Sequence, residues 1–143
     1  GPHPAPGPGT TSLVGNPRPL QPISAALEVT AMMSHEKLDV YQLAIKFLSL
    51  ARRILKRIPK GNADLADQLK RASRSIPLLI AEGVGKPTPA HQARYFSDAR
   101  GSAFECAACL DVLREDQMIE HDDFGSGKEL IERIVSMLTK PCR

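Results

Sequence analysis

Cys106 and Cys109 are separated by two residues, the spacing at which paired thiolates hold a metal or exchange a disulfide. A metal knuckle needs a second such pair or a histidine pair beside it, and neither stands near these cysteines. Both fall inside a helical pattern, where small, soft residues serve the core, and that is the reading adopted for them. His3, His35, His91 and His121 are scattered, without the i, i+4 spacing that presents two imidazoles on one helix face. Gly83-Val84-Gly85-Lys86 has the composition of a phosphate loop but closes a helical pattern, whereas a phosphate loop must open one. The glycines after Glu82 read as C-capping residues. With no Ser-His-Asp set and no defensible carboxylate pair, the chain is expected to be non-enzymatic, with no cofactor and no metal.

The residues with clearer chemical content are cations. Between Val40 and Ile58 the charged residues are Lys46, Arg52, Arg53, Lys56 and Arg57, with no acid among them. At 100° per residue, Lys46, Arg53 and Arg57 share a strip that spans about 17 Å of helix, enough to meet several phosphates. Lys46, Arg53, Lys56 and Arg57 are therefore the candidate nucleic-acid-binding residues. The alternative is a solvated face whose charges pair with acids on a neighbouring helix. No aromatics interleave these cations to stack on bases.

The same segment carries a second apolar seam. Tyr41, Leu48 and Leu55 repeat every seven residues, displaced from the main apolar stripe, and Leu78 points away from Ile76 and Ile80 on the next helix. Burial of these four at contacts between copies is favoured over a wide core stripe, which leaves Leu78 unexplained.

These residues need helices to position them, and the apolar spacing supplies four. The first runs from about Asp39 to Ile58 and stops at Pro59 and Gly61. The second follows Asn62, a candidate N-cap, and reaches Val84, with a kink expected at Pro77. Thr88 and Pro89 open the third as cap and first residue, and it continues to Arg114. A fourth lies after Gly127. Short connections give an all-α, up-down-up-down four-helix bundle over residues 34–143. Folding the middle hairpin about Gly85–Pro87 suggests structural ion pairs Arg71–Glu105 and Glu82–Arg94.

Residues 1–33 differ in kind. Pro and Gly crowd this stretch as far as Pro22, which predicts a disordered leader. Met32 and Met33 precede the first patterned segment, so the leader is expected to be an expression remnant or sequence upstream of the natural start. The net charge of +3 and pI of about 8.9 permit an anionic partner. Aromatics make up 4% of the chain, which suits close-packed helices better than sheet. No apolar run approaches the roughly 18 residues of a membrane span, and three cysteines argue against a disulfide scaffold. A reduced, cytoplasmic protein with no membrane partner is expected.

Gln68 to Lys86, QLKRASRSIPLLIAEGVGK, and Arg94 to Glu105, RYFSDARGSAFE, resemble the two signature stretches of the 23S rRNA intervening-sequence protein family. Asp39 to Phe47, DVYQLAIKF, is similar to the family's opening helix, with Tyr41 where a Trp is more usual. The resemblance covers residues 37–140. It implies a four-helix bundle, often assembled as a five-fold ring. It also implies a likeness in fold to the accessory proteins of diversity-generating retroelements, which partner a reverse transcriptase and bind nucleic acid. Fold transfers along such a resemblance, while function must be argued from the residues. The reading is a homo-oligomeric, pentameric bundle associated with RNA or DNA. The alternative is a protein-binding adaptor, such as an accessory subunit of a reverse transcriptase.

Overall fold

The structure, a computed structural model, describes residues 28–140. Residues 1–27 of the expected disordered leader lie outside that range; within it, Thr30–Met32 form a single 3-10 turn. The compact unit that begins at Met32 carries four helices. These are α1 (His35–Lys56), α2 (Ala63–Val84), α3 (Pro89–Glu115) and α4 (His121–Thr139), and no strand occurs among the described residues. Each helix packs on its neighbour in sequence, and α4 closes against α1. The result is the expected four-helix bundle.

Local chemistry sets the ends of the helices. α1 begins four residues earlier than the apolar pattern suggested, because the Ser34 side chain accepts a hydrogen bond from the Lys37 backbone N–H at 3.3 Å. Thr88 caps α3 as expected, its hydroxyl accepting from the His91 N–H at 3.2 Å with Pro89 in the first position. Asn62 precedes α2 but does not cap it through its side chain, whose amide donates to the Pro59 carbonyl at 2.9 Å. The α1–α2 turn is closed by Gly61 at φ +96°, a conformation that suits glycine.

The start of α4 corrects the sequence reading. The helix begins at His121, six residues before the expected limit at Gly127, and contains both Gly125 and Gly127. Each helical glycine costs roughly 1 kcal/mol. Asp122 and Asp123 in the first turn favour the helix at its positive end. Gly127 also has a packing purpose, since a Cβ there would lie 2.7 Å from Leu110 Cδ1. Gly83 plays the same part between α2 and α3, where a Cβ would lie 2.7 Å from the Phe96 ring. Pro77 is buried within α2, which continues through it to Val84.

The core follows the predicted stripes. Val40, Ala44, Phe47, Leu50, Ala51 and Ile54 of α1 are buried against Leu69, Ile76 and Ile80 of α2 and the apolar faces of α3 and α4. Ala99 and Ala103 are fully buried and let α3 approach its neighbours closely.

Candidate nucleic-acid interface

Of the cations between Val40 and Ile58, Arg53 and the C-cap Arg57 face α4, while Arg52 and Lys56 lie on the other flank of α1. Toward α4, Arg53 donates from Nη2 to Asp123 Oδ1 at 3.1 Å, and Arg57 Nη1 lies 2.6 Å from Glu120 Oε1 and 4.0 Å from Asp123 Oδ2. The Asp123 side chain is only 11% exposed, so Arg53 supplies the countercharge that a buried carboxylate requires. Two arginines facing two carboxylates leave this end of the strip with no net charge. Among the expected phosphate contacts, Arg53 and Arg57 thus first latch α1 to the start of α4. More than half of each side chain nevertheless remains in solvent.

Lys46 is exposed, and no ion pair among the described residues involves it. Lys56 lies on the opposite flank, where Arg52, Leu55 and Lys56 form one wall of an open groove. Ala63, Ala66, Asp67 and Lys70 of α2 form the other, around a volume of about 580 Å³. Arg52, Lys56 and Lys70 have no ion-pair partner among the described residues. Asp67 is the groove's one carboxylate, and Arg71 stands 3.8 Å from it one turn along α2. The groove therefore presents an apolar floor beneath a positive rim.

Sequence reasoning counted Arg52 among the cations of the first helix but did not place it in the site, and it missed Lys70. Helical geometry put Arg52 beside Lys56. Which flank faced an acidic neighbour depended on α4 beginning at His121 rather than after Gly127. Lys70 carries no local signal, because its value depends on which side of α2 adjoins α1.

The expected ion pairs are not those that form. Arg71 pairs with Asp67 on its own helix, and neither Arg71–Glu105 nor Glu82–Arg94 occurs among the described residues. The cause is the hairpin's register together with its outward-facing side chains. Gly83 meets Tyr95 and Phe96, so twelve residues back along the hairpin Arg71 lies level with Ala107 and Ala108. Arg71, Glu82, Arg94 and Glu105 are all exposed. The cross-helix pair that does form beside α3 is Lys128–Asp111, at 2.7 Å.

The proposed contact residues also separate. Tyr41 and Leu55 are half-buried and pack against the core, while Leu48 is half-buried outside that cluster. Leu78 is 65% exposed. Sequence reasoning missed three further exposed apolar residues on α1 and α3, Ile45, Phe104 and Val112. Phe104 and Val112 lie on the face of α3 opposite its core stripe, and a helix apolar on two faces gives only a weak amphipathic signal.

Cys106 and Cys109 are buried with free thiols. Burial pushes both thiols up, helped at Cys106 by Cys109 and at both by the charge of Glu105, so thiolate chemistry is disfavoured. No cluster of His, Cys, Asp or Glu suited to a metal occurs among the described residues. No helix among them is long and apolar enough to cross a membrane.

The model of the family described as 23S rRNA-intervening sequence protein matches residues 36–140. The chain belongs to that family. The matched region includes all of α2, α3 and α4 and nearly all of α1, and so holds both the groove and the arginine latch. No curated protein matches the chain.

Proposed function

We propose that this member of the family is a non-enzymatic, cytoplasmic, homo-oligomeric bundle that associates with nucleic acid. Phosphates are bound along the positive rim of the α1–α2 groove. The observation that carries this reading is the uncompensated charge of Arg52, Lys56 and Lys70 around one groove, while Arg53 and Arg57 face carboxylates. Lys46 adds a further cation on α1, and the exposed parts of Arg53 and Arg57 give them a secondary role. The family's name associates it with an rRNA insertion, which favours RNA as the first ligand to test.

Self-association is the second part of the proposal. Leu78, Phe104, Val112 and Ile45 leave apolar surface on several sides of the bundle. A five-fold ring, as the family resemblance implies, would cover some of it and repeat the positive rim. Weak sites would then act together.

The test is retention of the full chain on immobilised RNA, single-stranded DNA and duplex DNA at rising salt, with light scattering to give the mass. Salt-sensitive retention by an oligomer supports the proposal. A lack of retention on every nucleic acid at about 50 mM salt, where phosphate contacts are strong, refutes the binding reading.

One observation favours a second reading. The apolar floor formed by Leu55, Ala63 and Ala66 beneath a basic rim also suits an acidic amphipathic helix from a protein partner. On this second reading, a reverse transcriptase is the candidate class of partner. Binding to such a partner without binding to nucleic acid would favour the adaptor.

A further inference from the structure

A second concave site lies at the opposite end of α2, where the chain turns into α3. Lys86, Pro87, His91, Arg94, Tyr95 and Asp98 line a hollow of about 540 Å³, large enough for a nucleotide-sized ligand. Two permanent cations and one aromatic ring face it, against the single carboxylate of Asp98. The Lys86 ammonium sits 4.9 Å from the centroid of the Tyr95 ring. The ring lines the hollow, is half-buried and already attracts a cation.

The hollow is also held in shape. A Cβ at Gly83 would come within 3.0 Å of Tyr95 Cβ, so the root of the tyrosine is pressed against α2 while the side chain is only half-buried. The Gln92 side-chain amide donates to the Lys86 carbonyl at 2.9 Å, and the His91 ring is 2.9 Å from the Thr88 hydroxyl. A ring anchored in this way loses little freedom when it stacks. Lys86 has a flexible stem, and its ammonium can swing from the ring to an anion without moving the turn.

We propose that this hollow takes a nucleotide. The base stacks on Tyr95, and the phosphate is held by Lys86 and Arg94. Asp98 supplies an acceptor for a base amino group. The inference rests on the nucleic-acid reading and narrows it to ligands with an unpaired base, whether in a single strand or as a free nucleotide. A duplex offers phosphates to the α1–α2 groove but no open base face to Tyr95.

The test uses tyrosine emission, because the chain has two tyrosines and no tryptophan. In full-length Tyr41→Phe, Tyr95 is the only emitter. Single-stranded RNA is expected to quench it, and duplex RNA to bind by anisotropy without quenching. Adenosine monophosphate is the third arm: quenching by it shows that a free nucleotide suffices, and quenching by the strand alone assigns the site to strands. Both outcomes support the site. Tyr95→Ala should weaken single-strand binding by about tenfold, the effect of losing one base–aromatic stack, while Tyr95→Phe stays within about twofold. Helical circular dichroism confirms that each variant folds. Equal binding by Tyr95→Ala and Tyr95→Phe, or strand binding with unchanged emission, overturns the nucleotide site alone. Equal quenching by duplex overturns it too. If no nucleic acid binds and adenosine monophosphate does not quench, both proposals fall.

Discussion

Replacing Lys56 by Gln separates the two flanks of α1. Lys56 lies on the rim of the groove with Arg52 and Lys70, and none of the three has an ion-pair partner among the described residues. For a single-stranded ligand, each phosphate contact contributes about −0.7 to the slope of log affinity against log salt. Three contacts per subunit give a slope of about −2, so a fourfold rise in salt weakens binding about 20-fold. Lys56→Gln should reduce the slope to about −1.4 and the same salt effect to about sevenfold. Arg57→Gln removes a cation already 2.6 Å from Glu120, and should change the slope by less than half as much. The assay is fluorescence anisotropy of a labelled single-stranded RNA against the full chain at four or more salt concentrations. Light scattering holds the oligomeric state as a control. The groove reading is refuted if Arg57→Gln flattens the salt dependence and Lys56→Gln leaves it unchanged. In that case the phosphate path runs along the α4 flank, with Arg53 and Arg57 exchanging their carboxylates for phosphates.

Two glycines in one helix should respond oppositely to the same substitution. Gly125→Ala meets nothing within 4 Å and should stabilise the fold by about 0.5–1 kcal/mol through helix propensity. Gly127→Ala places a methyl 2.7 Å from Leu110 Cδ1 and should destabilise by about 1–2 kcal/mol, read by urea unfolding; equal shifts in the same direction would contradict the packing. Arg53→Ala leaves the Asp123 carboxylate with only Arg57, at 4.0 Å, and should cost about 1–2 kcal/mol, whereas Arg52→Ala should stay within about 0.5 kcal/mol. Because the folded state holds the Cys106 and Cys109 thiols protonated, their contribution to stability is intact below the unfolded thiol range and declines once pH rises above about 8.5; replacing both by Ala should reduce that alkaline decline in thermal melts. Leu78→Glu changes a side chain that is 65% exposed, so it should lower the scattering mass while helicity persists, and an unchanged oligomer would remove Leu78 from the contact.

The architecture was legible because it depends on local repetition. The stripes of α1 and α2 place Phe47, Ile54, Ile76 and Ile80 at intervals that only a helix brings to one side, and all four are fully or almost fully buried. Thr88-Pro89 marked the start of α3 for the same reason, since a cap and its first residue are adjacent in sequence. The start of α4 was not legible, because Gly125 and Gly127 look like linker residues until Leu110 is seen against Gly127. That error hid Glu120 and Asp123 as partners for Arg57 and Arg53. Charge on α1 could be counted from sequence, but its availability depended on which residues faced it across the bundle. The ion pairs expected between α2 and α3 failed for a related reason. The close approach at Gly83 sets the register of the hairpin, and a turn sequence alone does not report it.

The latch between Arg53 and Asp123 also has a mechanical consequence. α4 is strapped on both sides, to α1 through Arg53 and Arg57, and to α3 through Lys128–Asp111 and the Arg100–Thr139 hydrogen bond at 2.8 Å. The α1–α2 seam, like the α2–α3 seam, is crossed by no ion pair or side-chain hydrogen bond among the described residues. That seam is held by apolar contact alone, which resists opening without directional preference and is insensitive to moderate salt. Of the two seams without polar cross-links, this is the one whose edge carries the uncompensated cations. A bound strand lying across Arg52, Lys56 and Lys70 would act there as a removable clamp. Ionic strength would govern how long the clamp stays in place.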